Sequence, residues 1–210
     1  CQAASRASKP GTELAARSSR LQLYLYPRRF STIVKVVELG APHKPWILVD
    51  VFKCTGCRLC EIACVLKHEG VVWPSASRIT VYEPYPGAPV PVLCVQCDDY
   101  PCVSSCPSGA MSVDEKTGAV LVEPSKCTLC GACRAACPLE IPKVVPGKNY
   151  VLVCDLCSGD PECVKACAKA GFNALLLVSK PEGNLAKTFL RDPYEVSKHV
   201  FERLVLGGGK

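Results

Sequence analysis

Sixteen of the seventeen cysteines fall into four groups of four. The most regular group is Cys127, Cys130, Cys133 and Cys137, inside the stretch Cys-Thr-Leu-Cys-Gly-Ala-Cys-Arg-Ala-Ala-Cys-Pro. Thiolates are soft anionic ligands, and three of them at intervals of three residues let a short turn wrap one corner of an iron–sulfur cubane. The fourth follows after three intervening residues, where a helix is expected to start, and points away toward a different cluster. Chemistry of this kind moves one electron at a time.

The other groups vary the same run. Cys54, Cys57, Cys60 and Cys64 keep its spacing, but Val65 stands where the proline would be. In Cys94, Cys97, Cys102 and Cys106 the middle gap widens to Asp98-Asp99-Tyr100-Pro101, and Pro107 follows. In Cys154, Cys157, Cys163 and Cys167 it widens further, to Ser158-Gly159-Asp160-Pro161-Glu162. A disulfide framework fits poorly, because triplets of closely spaced cysteines are ligands rather than well-separated staples. Structural zinc usually takes two cysteine pairs across a longer loop, whereas triplets with a distant fourth are the cubane pattern.

No histidine lies in a ligand run: the three are His43, His68 and His199. His68 and Glu69 could be imagined as an acid/base pair near Trp73, but they read as an exposed turn ending at Gly70. Tyr82 and Tyr85 are expected to pack on the cluster region. Arg58, Lys126 and Arg134 sit beside the runs as surface charges that can raise nearby reduction potentials. No phosphate-binding glycine loop, dinucleotide fingerprint or Ser/His/Asp constellation is present, and nothing suggests turnover of an organic substrate.

The elements that must position these runs are short. Strands are expected at residues 47–51, 78–82, 150–153 and 174–178, and a hairpin joins 111–114 to 119–123 around Glu115-Lys116-Thr117-Gly118. A proline-rich connection from Pro84 to Pro91 separates the first two runs. At the C-terminus, Asp192 as N-cap, Pro193 at the first position and Glu195 as capping-box partner begin a helix. It carries Val196, Val200, Leu204 and Val205 on one side and stops at Gly207. Strand, lysine and ligand run recur at 47–64 and 119–137, while run and strand recur at 94–113 and 154–178. This internal repeat gives two lobes.

Of the 210 residues, 49% are apolar, but large packing residues are few: five Phe, two Trp and one Met. The cysteines are counted as ligands rather than core, so bound clusters should supply part of the folding free energy. The net charge of +6 resides in residues 1–44, with eight Lys/Arg against two Glu; the remainder carries 17 of each sign. Four oxidised cubanes would bring the cysteine region to roughly −8. That balance, without a basic stripe, argues against nucleic acid.

No run approaches the ~18 apolar residues of a membrane span. Pro27-Arg28-Arg29-Phe30 holds a twin arginine, but the apolar run after it is too short and too charged for export. A cytoplasmic location is expected. The sequence begins at Cys1 without Met, and its first residues read as a truncated or over-extended frame rather than a lipidated terminus.

The order of the runs, with the insertion after the first, resembles the DMSO reductase iron–sulfur subunit family. Within it, Cys54-Thr-Gly-Cys-Arg-Leu-Cys-Glu-Ile-Ala-Cys64, Lys67-His-Glu-Gly70 and the run Cys154 to Cys167 look like polyferredoxins that accompany tungsten enzymes of the aldehyde ferredoxin oxidoreductase type. The resemblance covers about residues 45–180. It implies an α+β fold of two ferredoxin-like lobes and four 4Fe–4S clusters. Cys54, Cys57 and Cys60 with Cys167 would hold one cluster, and Cys154, Cys157 and Cys163 with Cys64 its neighbour. Cys94, Cys97 and Cys102 with Cys137, and Cys127, Cys130 and Cys133 with Cys106, would hold the other two. Prolines follow Cys106 and Cys137 but not Cys64 and Cys167, so the backbone of the outer pair departs from the simple run.

The expectation is therefore a basic, disordered tail (1–44), a polyferredoxin domain (45–180) and a C-terminal extension (181–210). The outer lobe would combine 45–65 with 150–180, and the inner lobe would span 92–140. As implied by the resemblance, the chain is a non-catalytic electron-transfer subunit. It would serve a tungsten or molybdenum oxidoreductase subunit and a second redox protein or ferredoxin. A free polyferredoxin, a relay linked to hydrogenase or carbon monoxide dehydrogenase, and a zinc-stapled interaction module are the alternatives.

Overall fold

A computed structural model describes residues 44–181, 183–204, 206 and 207. The basic segment before Lys44, and Val205 of the expected C-terminal stripe, lie outside the described residues. The described part mixes short helices with three two-stranded antiparallel sheets.

The first sheet joins the two ends of the cysteine region. Strand β1 (Pro45–Val49) pairs with β6 (Leu175–Ser179), with Ile47 opposite Leu177 and Val49 opposite Leu175. Both segments are rich in Leu, Ile and Val, which suit a pleated surface buried on one face. Trp46, at 1% exposure, anchors this sheet: its Nε1–H donates to the Val95 carbonyl at 2.8 Å.

Strand β2 (Thr80–Tyr82) pairs with β3 (Val90–Val92), and Val81 stands opposite Pro91. The stretch from Pro84 to Pro91, expected to be only a connection, thus ends in a strand. A two-stranded sheet has free edges on both sides, so the N–H that proline lacks is not missed. The hairpin of β4 (Met111–Val113) and β5 (Val120–Val122) forms where its turn residues place it. The strand expected at 150–153 is instead one bridge between Lys143 and Leu152, because only Lys143 lies alongside it.

Each ligand run leads into a helix. These are α1 (Leu59–Glu69), α2 (Pro101–Ser104), α3 (Ala132–Ala135) and α4 (Glu162–Lys169). In all four the third cysteine of the run is the second helical residue. The helix therefore begins before the third cysteine, not at the fourth as expected. α1 ends at Gly70, whose φ of 69° provides the left-handed cap and whose N–H reaches the Leu66 carbonyl.

Helix α5 (Pro193–Leu204) is capped by Asp192, whose Oδ1 accepts the Tyr194 N–H at 2.9 Å. Its buried face, at Ser197 and Val200, covers the insertion after β2. Ser197 Oγ–H donates to Ala88 O at 2.7 Å and accepts the Tyr85 N–H at 3.2 Å. Tyr85 meets Tyr194 and Phe201, so it packs under this helix, not on a ligand run; Tyr82 is exposed.

The buried residues form three clusters. Ile47, Ile79, Val81, Leu93, Leu156 and Leu175 surround Cys60, Cys64, Cys154, Cys163 and Cys167. Met111, Val120, Val151 and Val153 surround Cys102 and Cys133. Val65, Ala76, Val145 and Leu152 form the third, against Trp73 and Tyr150. Two of the three clusters are thus interleaved with cysteine, which the sequence had set apart from the core.

Candidate metal centre

The backbone of the four runs bends in one way. The residue before the second cysteine is left-handed each time: Gly56 (φ 71°), Gln96 (52°), Leu129 (56°) and Leu156 (54°). A left-handed residue there turns the chain back on itself, so that successive cysteine side chains converge instead of alternating. At the three non-glycine positions this costs about 1–2 kcal/mol each.

The outer runs meet around two cavities. One is lined by Cys54, Cys57, Cys60 and Cys167, with Val81, Phe172 and Leu175 as apolar wall. The other is lined by Cys64, Cys154, Cys157 and Cys163, with Ile79, Leu93 and Leu156. The helices explain the exchange. Residues four apart on a helix share a face, one turn above the other. Cys60 and Cys64 on α1 therefore border neighbouring cavities, and Cys163 and Cys167 on α4 border the same two in the opposite order.

In the inner runs, thiols again approach from separate segments. Burial first, and then the neighbouring Cys137, push Cys102 up to about 11. Burial also raises Cys133, assisted by the charges of Cys106, Cys127 and Cys130. In the outer runs Cys60 and Cys154 are pushed up to about 12, chiefly by burial. Thiolates gathered this closely in apolar surroundings need a cation among them. A cluster containing ferric and ferrous iron meets that requirement, so the donor set fits 4Fe–4S chemistry.

Hydrogen bonds to sulfur support the same fit. The fourth cysteine of every run accepts one or has a hydroxyl beside it. Arg78 N–H reaches Cys64 at 3.3 Å, Ile141 N–H reaches Cys137 at 3.4 Å and Ala174 N–H reaches Cys167 at 3.2 Å. Ser108 Oγ lies 3.6 Å from Cys106. Burial alone would raise Cys106, yet Ser108 and the N–H groups of Ser108, Ala110 and Met111 hold it below the ordinary thiol value. Cys57 and Cys130 are the exposed ligand candidates among the described residues.

Two functional residues escape a reading of the ligand runs. His68 is not on an exposed turn: it lies in the last turn of α1 and lines the second cavity. Its Nε2 is 3.6 Å from Cys157 Sγ and 3.4 Å from Asp155 Oδ1. Burial lowers its pKa, with Asp155 opposing. The signal was available, since His68 continues the series Cys60, Cys64 at helical spacing. The neighbouring Glu69 keeps its side chain 5% exposed, paired with Arg78 at 3.0 Å and with Lys148. The other is Gln96, 1% exposed, which bridges Cys154 O and the Val120 N–H; no local signal marks it.

Of the basic residues expected beside the runs, Arg58 pairs with Glu61 at 3.4 Å and Arg134 with Glu140 at 2.7 Å. Both are about half exposed, so they behave as surface charge. No described helix is long and apolar enough to cross a membrane.

Comparison with known proteins agrees with this chemistry. The family model described as "4Fe-4S dicluster domain" matches residues 88–175, which hold the last three runs. The "Aliphatic sulfonate oxidoreductase, polyferredoxin-like subunit" of Pyrococcus furiosus is 52% identical over 159 residues, covering 76% of this chain and 92% of the relative. In Escherichia coli, the "Putative electron transport protein YsaA" is 37% identical, covering 58% and 83% of the two chains. The "Electron transport protein HydN" of the same species is 33% identical, covering 58% and 82%. With thiols converging on cavities and relatives that carry electrons, the chain belongs to the family of polyferredoxin-like iron–sulfur subunits that transfer electrons through 4Fe–4S clusters.

Proposed function

We propose that this chain holds four 4Fe–4S clusters and relays single electrons between a catalytic oxidoreductase subunit and a second redox protein. Cys54, Cys57, Cys60 and Cys167 hold the first cluster, and Cys154, Cys157, Cys163 and Cys64 the second. Cys94, Cys97, Cys102 and Cys137 hold the third, and Cys127, Cys130, Cys133 and Cys106 the fourth. The first two make an outer lobe and the others an inner lobe, two ferredoxin-like units related by an internal repeat. When bound, each cluster supplies one-electron cycling.

The observation that carries this is the exchange of the fourth cysteine: four thiols border each of two neighbouring cavities, three from one run and one from the other. The protein's own contribution is to exclude water, fix the ligands and donate N–H groups to sulfur, which sets how readily each site accepts an electron. Cys94 packs against both cysteine-bearing cores, so it stands between the second and third sites. The exposed Cys57 and Cys130 belong to the first and fourth, the two ends of the series.

The catalytic partner is proposed to be a tungsten or molybdenum enzyme. The name of the Pyrococcus relative associates that protein with an aliphatic sulfonate oxidoreductase, and this chain is proposed to serve a catalytic subunit of the same kind. A second reading, a free polyferredoxin, draws on one observation: α5 buries Ser197 and Val200 on the chain's own insertion, although Leu204 of the same stripe stays exposed.

Metal analysis of the protein purified anaerobically from its host decides between them. Sixteen iron atoms per chain with tungsten or molybdenum alongside is the expected result. The same iron without either metal supports the free form. Zinc in place of iron overturns both readings.

A further inference from the structure

The two neighbouring cavities differ in the charge around them. Among the described residues, two carboxylates and one cation stand at the cavity of Cys54, Cys57, Cys60 and Cys167. Glu61, 6% exposed, accepts the Val81 N–H at 2.6 Å, and Glu83 reaches Gly56 between Cys54 and Cys57. Arg58 is the cation, half exposed and 3.4 Å from Glu61.

At the cavity of Cys64, Cys154, Cys157 and Cys163 the balance reverses. Arg78 lines it with a side chain 9% exposed, and its backbone N–H donates to Cys64 Sγ. Lys143 is held near Cys64 by Thr80 Oγ1 at 3.1 Å, and Lys148 joins Arg78 on Glu69. The carboxylates there are Glu69 and Asp155, the latter accepting the Cys157 N–H at 3.0 Å. Lys67 acts on Cys157 and His68 as well, so among the described residues this is four cations against two carboxylates. Glu61 also faces Lys143, but counting it at both cavities leaves the order unchanged. His68 adds a ring nitrogen 3.6 Å from Cys157 Sγ.

An added electron is stabilised by nearby positive charge and by N–H groups aimed at sulfur, most strongly where water is excluded. Building on the four-cluster reading, we propose that the site of Cys64, Cys154, Cys157 and Cys163 has the higher reduction potential of the pair, set by Arg78, Lys143 and His68. An electron entering at the exposed Cys57 end then moves inward and rests there. One site is oxidised by one electron, its neighbour is reduced by one, and no bond breaks.

The test is an EPR-monitored redox titration of the iron-loaded, full-length protein. Cys57→Ser and Cys157→Ser assign the signals, since each alters the spectrum of its own site. The signal altered by Cys157→Ser is expected to be the first reduced. Lys143→Met should lower the reduction equilibrium of that site about tenfold, which is ~59 mV for one electron, and Lys143→Arg should restore it. His68→Phe should shift it the same way and His68→Gln less. A merely structural role would change thermal stability and leave the potentials alone.

The proposal is overturned if the Cys157→Ser signal is the lower of the two, or if Lys143→Met leaves its midpoint unmoved. Iron too low to fill both sites, or one signal altered by both serine variants, would instead overturn the four-cluster reading and the proposal with it.

Discussion

Gln96 Nε2–H donates to the Cys154 carbonyl at 2.7 Å, while its Oε1 accepts the Val120 N–H at 2.9 Å. One side chain from the second run thereby ties the fourth run to the hairpin that feeds the third. Its own backbone N–H lies 3.4 Å from Cys94 Sγ, so it also touches a proposed ligand.

Replacing it tests that bridge. Gln96→Leu keeps the volume but leaves a buried carbonyl and a buried N–H unpaired, at roughly 1–3 kcal/mol each. Thermal unfolding of the iron-loaded protein is expected to drop by about 6–12 °C for a loss of roughly 3 kcal/mol. An unchanged midpoint would mean that both groups find other partners.

Cysteine exchange between the helices gives a second prediction. Cys64 sits in the run of Cys54, Cys57 and Cys60 but borders the cavity of Cys154, Cys157 and Cys163. EPR of Cys64→Ser should show the signal of the latter site altered and that of the former kept. An alteration confined to the Cys54 site would make the pairing wrong.

Glu69 predicts a dependence on acid. Burial opposes its charge, but hydrogen bonds from Lys148 and Arg78 outweigh that and hold its carboxyl below the ordinary value. A depressed folded pKa means stability that is present above the unfolded value, about 4.3, and is lost as pH falls through the folded one. Glu69→Gln should cost about 3 kcal/mol at neutral pH and flatten the acid limb of the stability curve. An acid limb as steep as in the parent would assign it to other carboxylates.

How much of this was legible follows from the range of each contact. The hairpin around Gly118 and the Asp192 cap are local, and each formed where the sequence put it. Strand β3 was hidden because Pro91 argues against pairing, and only the lone partner β2 makes it tolerable. The role of Gln96 depends on a residue 58 positions away, which no local pattern encodes, whereas His68 continues the helical series of Cys60 and Cys64 and only its contact with Cys157, 89 positions on, is hidden. The bends at Leu129 and Leu156 are equally hidden, since leucine does not advertise a positive φ.

Iron removal should act on the core itself. Cys60, Cys64, Cys154, Cys163 and Cys167 are packed among Ile47, Leu156 and Leu175, so stripping the metal leaves voids and thiols where packing should be. Hydrogen exchange of the apoprotein is expected to lose protection across β1, β6, α1 and α4 together. Protection retained there would show a fold that stands without its metal.

The pairing of β1 with β6 also orders events during synthesis. The outer elements come from opposite ends of the cysteine region, and Cys64 must wait for Cys154 before its cavity is complete. At roughly 5–20 residues per second that delay lasts several seconds, during which the first run is exposed while the inner runs already have one another. The nascent chain should therefore depend on protection of the thiols of that run, and on iron delivery that comes late, until β6 pairs with β1.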